Sequence, residues 1–282
     1  MKVFHTGAEW KEIRLQLLQA PKTIGLVPTM GALHQGHLDL VDQCIKNADV
    51  AVVSIFVNPT QFNNKEDFDK YPNTLDADLE LLEKAGVDYV FVPSVETMYP
   101  TPTKLQFDFG DLERILEGAF RPGHFNGVGV IVSKLFHSIS PDIAFFGQKD
   151  LQQVAIIRKL VNDLSFPLEL RLVPTRREED GLAMSSRNRR LNPEQRKKAL
   201  ILHDSLVFAK KELEKGQNWL DVQQIITRNF EELEGAELEY FELVETDKFE
   251  VFKEFDLTKK SSICVAAYIG DVRLIDNLTI NS

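Results

Sequence analysis

The run DVAVVSIFV at 49–57 constrains this chain more than any other stretch. It is almost continuously β-branched, the pattern of a strand buried on both faces by helices packed on a parallel sheet. Comparable short apolar runs recur at 23–28 (TIGLVP), 87–93 (VDYVFVP), 142–147 (DIAFFG) and 168–174 (LELRLVP). Between them lie stretches with helical apolar spacing, at 37–48, at 75–86 with Gly86 as the stop signal, at 128–139 and at 150–164. Strand–helix–strand alternation at this spacing means βαβ units. The expected fold is therefore α/β, a Rossmann-like parallel sheet with helices on both faces. In such sheets a ligand binds beyond the carboxyl ends of the strands. The segments PTMGALHQGH, NPTQF and GQKD follow the first, second and fourth of these strands, so three strand ends converge on one crevice.

The alternation stops near residue 175. A charged stretch, RREEDGLAMSSRNRRLNPEQRKK, is followed by amphipathic helices at about 193–215 and 219–234 and by three strand-like runs, ELEYFELVE, SSICVAAYIG and VRLIDNLTI. Helices followed by strands indicate a smaller α+β unit. The expected division is residues 1–175 and 176–282, with the charged stretch as a loop at the junction. At 282 residues two domains are the natural prior.

The chain carries 43 acidic and 33 basic side chains, a net charge of -10, which argues against nucleic-acid or anionic-membrane binding through a broad basic face. It leaves room for a small anionic ligand at a local cluster of cations. Cys44 and Cys264, the two cysteines, are far apart and outside any CxxC spacing, as for free thiols in a reducing compartment. No N-terminal targeting pattern and no window of about 18 apolar residues is present, so the expected setting is the cytoplasm.

Several residues at the strand ends could carry chemistry. His34 and His37 stand between and beside Gly31 and Gly36, where a helix opens into the crevice with its free N–H groups and positive dipole end. They could donate to phosphate oxygens, bind zinc with a third ligand that the sequence does not supply, or simply cap the helix. Lys149 follows a strand end at Gly147, and Asp150 is placed to N-cap the next helix. Gln61 faces the crevice from the turn after the second long strand. Ser185, Ser186 and Arg187 offer hydroxyl and guanidinium donors, although taken alone this stretch reads first as a solvated linker with an ST-turn. Residues 176–190 hold five arginines against three acids, a local charge of +2. EGAFRPGHFNGVGV at 117–130 reads as a glycine-rich loop carrying Arg121 and His124.

Taken together, PTMGALHQGHLDLV, VSIFVNPTQF, LEGAFRPGHFNGV, FFGQKDLQQ and DGLAMSSRNRRL, in this order and spacing, resemble the pantoate–β-alanine ligase (pantothenate synthetase) family across the whole chain. His34-x-Gly36-His37 resembles the HIGH signature of its nucleotidylyltransferase superfamily, and Met184-Ser185-Ser186-Arg187 resembles the KMSKS loop. The resemblance implies condensation of pantoate with β-alanine through a pantoyl-adenylate, with ATP as substrate, Mg2+ accompanying it, and a cytoplasmic homodimer whose smaller domain acts as a lid. It implies catalytic roles for His37, His34 and Lys149. ATP would be held by Met30, Gly31, Ala32, Leu33, Gln35 and Gly36 with the two histidines, by Gly147, Gln148, Lys149 and Asp150, by Arg176, and by Met184 to Arg187. Gln61 and Gln153 would grip pantoate, and Gln61 also β-alanine; no metal ligand is assigned. Arg176 departs from the smaller or apolar residue usual in the family, and Leu151 from a frequent tyrosine.

Three other readings compete. A nucleotidylyltransferase that stops at adenylate transfer would want cations where Gln61 and Gln153 stand. A non-catalytic nucleotide-binding module would lack Lys149 and the MSSRN donors. A zinc hydrolase would hold stoichiometric metal.

Overall fold

The computed structural model describes residues 1–17, 22–63 and 65–280. In chain order the elements are β1 (Lys2–Phe4), α1 (Gly7–Leu17), β2 (Ile24–Thr29), α2 (Gln35–Asn47), β3 (Val50–Ile55), α3 (Lys65–Asp69), α4 (Leu75–Ala85), β4 (Tyr89–Phe91) and α5 (Val95–Met98). There follow α6 (Leu116–Phe120), α7 (His124–Ile139), β5 (Ile143–Gly147), α8 (Leu151–Asp163), β6 (Glu169–Val173), α9 (Pro193–Lys198), α10 (Leu200–Glu214) and α11 (Trp219–Glu232). The chain ends in β7 (Ala236–Glu245), β8 (Ser261–Ile269) and β9 (Val272–Thr279).

The large sheet has the order β1-β4-β3-β2-β5-β6, and every pair in it is parallel. All six residues of β3 are buried, as its β-branched run requires. Helices cover both faces. Trp10 and Ile13 of α1 pack with α7 and α8 on one side, while Leu40, Val41 and Cys44 of α2 pack with Leu82 of α4 on the other. The chain leaves β2 toward β3 on one side and returns to β5 on the other, so the direction of winding changes beside β2, where a crevice opens at the strands' carboxyl ends.

Several expectations are corrected. The sheet has a sixth strand, β1, three residues long and too short to show a period. The stretch 117–130 is not a loop: it is α6 and the first half of α7, which begins at His124 rather than 128. The helix expected at 193–215 is two, α9 and α10, meeting at Ala199. The junction 176–190 contains an isolated bridge, Arg177 to Ala183, and a 3-10 turn at Ser186–Arg190.

The second sheet is antiparallel, in the order β7-β8-β9. Alternation in β8 explains how it is used. Ile263, Val265, Ala267 and Ile269 pack on α10 and α11, whereas Cys264 and Ala266 face Leu116 of α6 and Leu151 and Ala155 of α8. One face of the small sheet is thus a core of its own. The other is docked on the helices that flank the crevice. Both cysteines are buried and free.

Candidate active site

The first wall of the crevice is the turn after β2. Gly31 and Ala32 have positive φ, +78° and +51°, and Asp78 of α4 holds them there. Its carboxylate accepts the N–H groups of Ala32 (2.9 Å) and Leu33 (2.8 Å) and the hydroxyl of Thr74 (3.1 Å). A Cβ on Gly31 would lie 3.0 Å from Asp78 Oδ2, so glycine is required for space as well as for φ. The turn delivers His34 to the N-cap position of α2.

Both histidines are capping groups. His34 Nδ1 accepts the Gly36 N–H at 3.1 Å, and His37 Nδ1 accepts the His34 N–H at 3.3 Å. A backbone N–H only donates, so each Nδ1 is an acceptor and each ring carries its proton on Nε2. The ring centroids are 4.0 Å apart. Burial, then Lys149 and Arg189, pushes His34 down to about 4. Burial, then the charge of His34, Lys149 and Arg189, pushes His37 down to about 3. Both rings are neutral N–H donors near neutral pH, and both line the crevice. Among the described residues no group of three or more His, Cys, Asp or Glu is arranged to hold a metal ion, so the pair lacks the further ligands of a zinc site.

The second wall follows β3. The turn Pro59–Gln61 buries Gln61, whose Oε1 accepts from Asn58 Nδ2 at 3.1 Å and whose Nε2 lies 3.0 Å from Met30 Sδ. Asn58 Oδ1 in turn accepts from Tyr99 Oη (2.7 Å) and Thr60 Oγ1 (3.0 Å). His124 Nδ1 donates to the Gln61 carbonyl at 2.7 Å. That tautomer follows because Arg121 Nη1, which can only donate, sits 3.3 Å from His124 Nε2. Burial and then Arg121 push His124 down to about 3, so it stays neutral. The α7 backbone runs close enough that a Cβ on Gly127 would meet the Thr60 carbonyl at 2.3 Å. The helix also supplies Val128, Ile131, Val132 and Leu135, which with Phe56 form an apolar part of the crevice lining.

The third wall follows β5. Lys149 lies in the 3-10 turn Gln148–Asp150 and lines the crevice with Gly147, Asp150 and Gln153. Among the described residues its ammonium has no ion pair. Asp150 occupies the N-cap position of α8 but makes no side-chain cap bond, contrary to expectation. Its backbone, at φ −96° and ψ 57°, is off the extended geometry from which a cap oxygen reaches the next N–H groups.

The fourth wall is the segment Met184 to Arg187, with Arg176 beside it. The basic island predicted at 176–190 is largely neutralised. Arg187 and Arg190 share Asp67 at 2.9 and 3.1 Å, Arg177 pairs with Asp276 at 2.6 Å, Arg176 lies 3.6 Å from Asp39, and Arg189 donates to the Leu33 carbonyl. Met30, His34, Gly36, His37 and Gln61 therefore meet Lys149, Asp150, Gln153, Arg176 and the Met184 to Arg187 segment in one crevice. Gly31, Ala32 and Leu33 are buried behind it, Gln35 is exposed and donates to Asp39, and Gln148 donates to Thr279. These five shape the site from outside its lining.

Behind Lys149 a small cavity is bounded by Glu117, Arg121, His124, Gln153, Tyr240 and Asn277. Arg273 of β9 grips Glu117 bidentately (2.6 and 2.9 Å), and Tyr240 Oη donates to the same carboxylate at 2.8 Å. Burial alone would raise the Glu117 carboxyl, but hydrogen bonds and charge from Arg273, then Arg121, hold it down to about 2.

Sequence reasoning missed Asp78, Asn58, the apolar face of α7 and Tyr71, which lines the crevice with its hydroxyl 3.5 Å from Ser186 Oγ. Asn58 was within reach, since it immediately precedes the turn proline. Asp78 was not: it reads as one more acid in an amphipathic helix.

A family model described as pantoate-beta-alanine ligase matches residues 2–279 of the chain. A Bacteroides fragilis pantothenate synthetase is 48% identical over 279 residues, 99% of this chain and 98% of the relative. The crystal structure of pantothenate synthetase from Thermus thermophilus superposes with a TM-score of 0.91 at 39% identity, covering 100% of both chains. A Francisella tularensis pantoate-beta-alanine ligase, crystallised in complex with beta-gamma ATP and beta-alanine, matches with a TM-score of 0.78 at 34% identity, covering 99% of this chain and 98% of that one.

Proposed function

Since the chain belongs to the pantoate–β-alanine ligase family, and so joins pantoate to β-alanine at the expense of ATP, we propose that the crevice at the ends of β2, β3 and β5 performs both half-reactions. In the first, a pantoate carboxylate oxygen attacks the α-phosphorus of ATP. The bond to the bridging oxygen breaks and pyrophosphate leaves with the electron pair. In the second, the amine of β-alanine attacks the acyl carbon of the pantoyl-adenylate, the bond to AMP breaks, and the amine loses a proton.

The observation that carries this reading is the set of donors around one crevice: two neutral Nε2–H groups fixed by backbone caps, Lys149, and the Ser185 to Arg187 loop. Charge moves onto phosphate oxygens as the α-phosphorus is attacked. Preorganised donors and a cation stabilise that charge without any enzyme nucleophile. His37 and His34 act as hydrogen-bond donors rather than as acids, because neither ring is charged at neutral pH. The N-terminus of α2 contributes its N–H groups and dipole. Met30, Gly36, Gly147, Asp150, Arg176 and Met184 line the nucleotide's side of the crevice, while Gly31, Ala32, Leu33, Gln35 and Gln148 set the backbone from behind. Gln61 and Gln153 read the hydroxyl and carboxylate groups of pantoate, and Gln61 lies on the path of β-alanine. The apolar face of α7 with Phe56 suits the two methyl groups on pantoate's quaternary carbon.

Mg2+ fits this donor set. Among the described residues the protein builds no metal cage of its own, and Asp150 is a crevice carboxylate free of capping duty. An ion of this kind is held by one or two carboxylates together with substrate phosphates. When bound it supplies charge neutralisation on the triphosphate. The reading also includes a division near residue 175, a cytoplasmic setting and a homodimer, which light scattering of the purified protein tests. Among the described residues no helix is long and apolar enough to cross a membrane. Residues 176–282 serve as the lid of this reading, and their Met184 to Arg187 segment lines the crevice.

The test is direct. Purified protein with ATP, Mg2+ and pantoate should release pyrophosphate in a burst, and adding β-alanine should give steady AMP and pantothenate. Pyrophosphate release that does not depend on pantoate would overturn the reading.

A further inference from the structure

β9 reads in sequence only as a strand, yet it buries two polar residues side by side: Asp276 is 3% and Asn277 4% exposed. Asn277 Nδ2 donates to the carbonyl of Lys149 at 2.8 Å and to that of Gln148 at 3.0 Å. These bonds span 128 and 129 residues. They link the C-terminal sheet to the turn that carries the crevice lysine. Its neighbours anchor the strand: Arg177 clasps Asp276 with both terminal nitrogens and donates to the Asn277 carbonyl, and Thr279 accepts from Gln148 Nε2.

The turn needs such support. Gln148–Asp150 lies between β5 and α8, and the side chain at the head of α8 supplies no cap. With no local side-chain cap, its conformation is set from across the molecule. Asn277 is also a costly way to join two units. Its Oδ1 is buried without a hydrogen-bond partner among the described residues, which costs stability. An apolar side chain of the same shape would dock the sheet without that unpaired oxygen, and what it would lack is the donor to the Lys149 and Gln148 carbonyls.

We propose that Asn277 is a positioning residue for the ligase reaction: from β9 it fixes the Lys149 backbone so that the ammonium enters the crevice at the reacting phosphate. This rests on the role given to Lys149 under Proposed function. A shift of about 1 Å in such a group costs up to about a hundredfold in rate. Asn277→Leu keeps the shape, removes the donor and relieves the buried carbonyl. Relief of the buried Oδ1 offsets part of the two lost hydrogen bonds, so its unfolding midpoint should fall only modestly while pantoate-dependent pyrophosphate release slows by about tenfold to a hundredfold. KM for β-alanine should not change.

The deciding experiment is a double-mutant cycle with Lys149→Ala, read as single-turnover pyrophosphate release with enzyme in excess, where slow variants still register. If Asn277 acts through Lys149, Asn277→Leu should alter the residual rate of Lys149→Ala by less than about twofold. The same slowing in both backgrounds, or parent-like release by Asn277→Leu alone, overturns the proposal. Parent-like release by Lys149→Ala alone would instead overturn the role given to the lysine, and this proposal with it. Should Asn277→Leu not fold, Asn277→Ala carries the same cycle.

Discussion

His37 and His34 are tied to each other through the backbone: Nδ1 of His37 accepts the N–H of His34 at 3.3 Å, while Nδ1 of His34 accepts from Gly36. The capping bonds and the chemistry are therefore one arrangement. Using Nδ1 for the cap leaves Nε2–H as the only group each ring can offer the crevice, in the neutral form.

His37→Ala removes one of these donors and one cap. Turnover should fall by about 10²–10³, as for loss of a preorganised transition-state donor. Stability should fall by only about 1 kcal/mol, the usual worth of a cap. Pyrophosphate release and thermal unfolding measured on the same preparation check both. Parent-like turnover would remove His37 from the chemistry.

The titration of the histidines makes a second test. Folded values near 4 for His34 and 3 for His37 lie below the ordinary 6.5, so between these limits the unfolded chain binds more protons. Their contribution to stability is complete above about pH 6.5 and declines as pH falls toward the folded values. Replacing His37 by Gln should flatten the fall in unfolding midpoint between about pH 7 and 5. By proton NMR the His37 ring should show no midpoint near 6.5; one found there would contradict the neutral-donor reading.

Asp78 holds the β2–α2 turn in its left-handed conformation. Asp78→Ala leaves the N–H groups of Ala32 and Leu33 buried without an acceptor and should cost about 2–5 kcal/mol in urea unfolding. Activity should be lost together with stability, because the same turn places His34. A stable and active Asp78→Ala protein would show that the turn holds itself.

Glu117 and Arg273 form a buried pair between α6 and β9. Arg273→Met leaves Glu117 buried with weaker partners and should cost about 3–5 kcal/mol, whereas adding Glu117→Leu should recover part of the loss. The folded value of Glu117 is near 2 against an ordinary 4.5, so its stabilisation is complete above about pH 4.5 and is lost as pH falls toward 2. Denaturation curves of the three proteins, repeated at acidic pH, check the sign; a double variant weaker than the single one would refute the pairing argument.

The sequence by itself determined the parallel sheet and the location of the crevice. Burial on both faces is written locally, in the β-branched run of β3 and in the apolar spacing of α2 and α8. The loops at the strand ends follow from the same pattern, which is why His34, His37, Gln61 and Lys149 could be placed at one site, while Ser185 to Arg187 joined them only through the family resemblance. Local pattern failed where glycines mask a helix, as at the start of α7, whose close approach to Thr60 demands Gly127. It also failed wherever a partner lies far along the chain. Only the tertiary structure brings Asp78 under Ala32, sets Asp67 against Arg187 and Arg190, and places Asn277 beneath Lys149. The physical reason is that apolar burial is a property of a segment, whereas a hydrogen bond or an ion pair belongs to two segments. Which two of them meet is decided by how strands and crossovers stack in space.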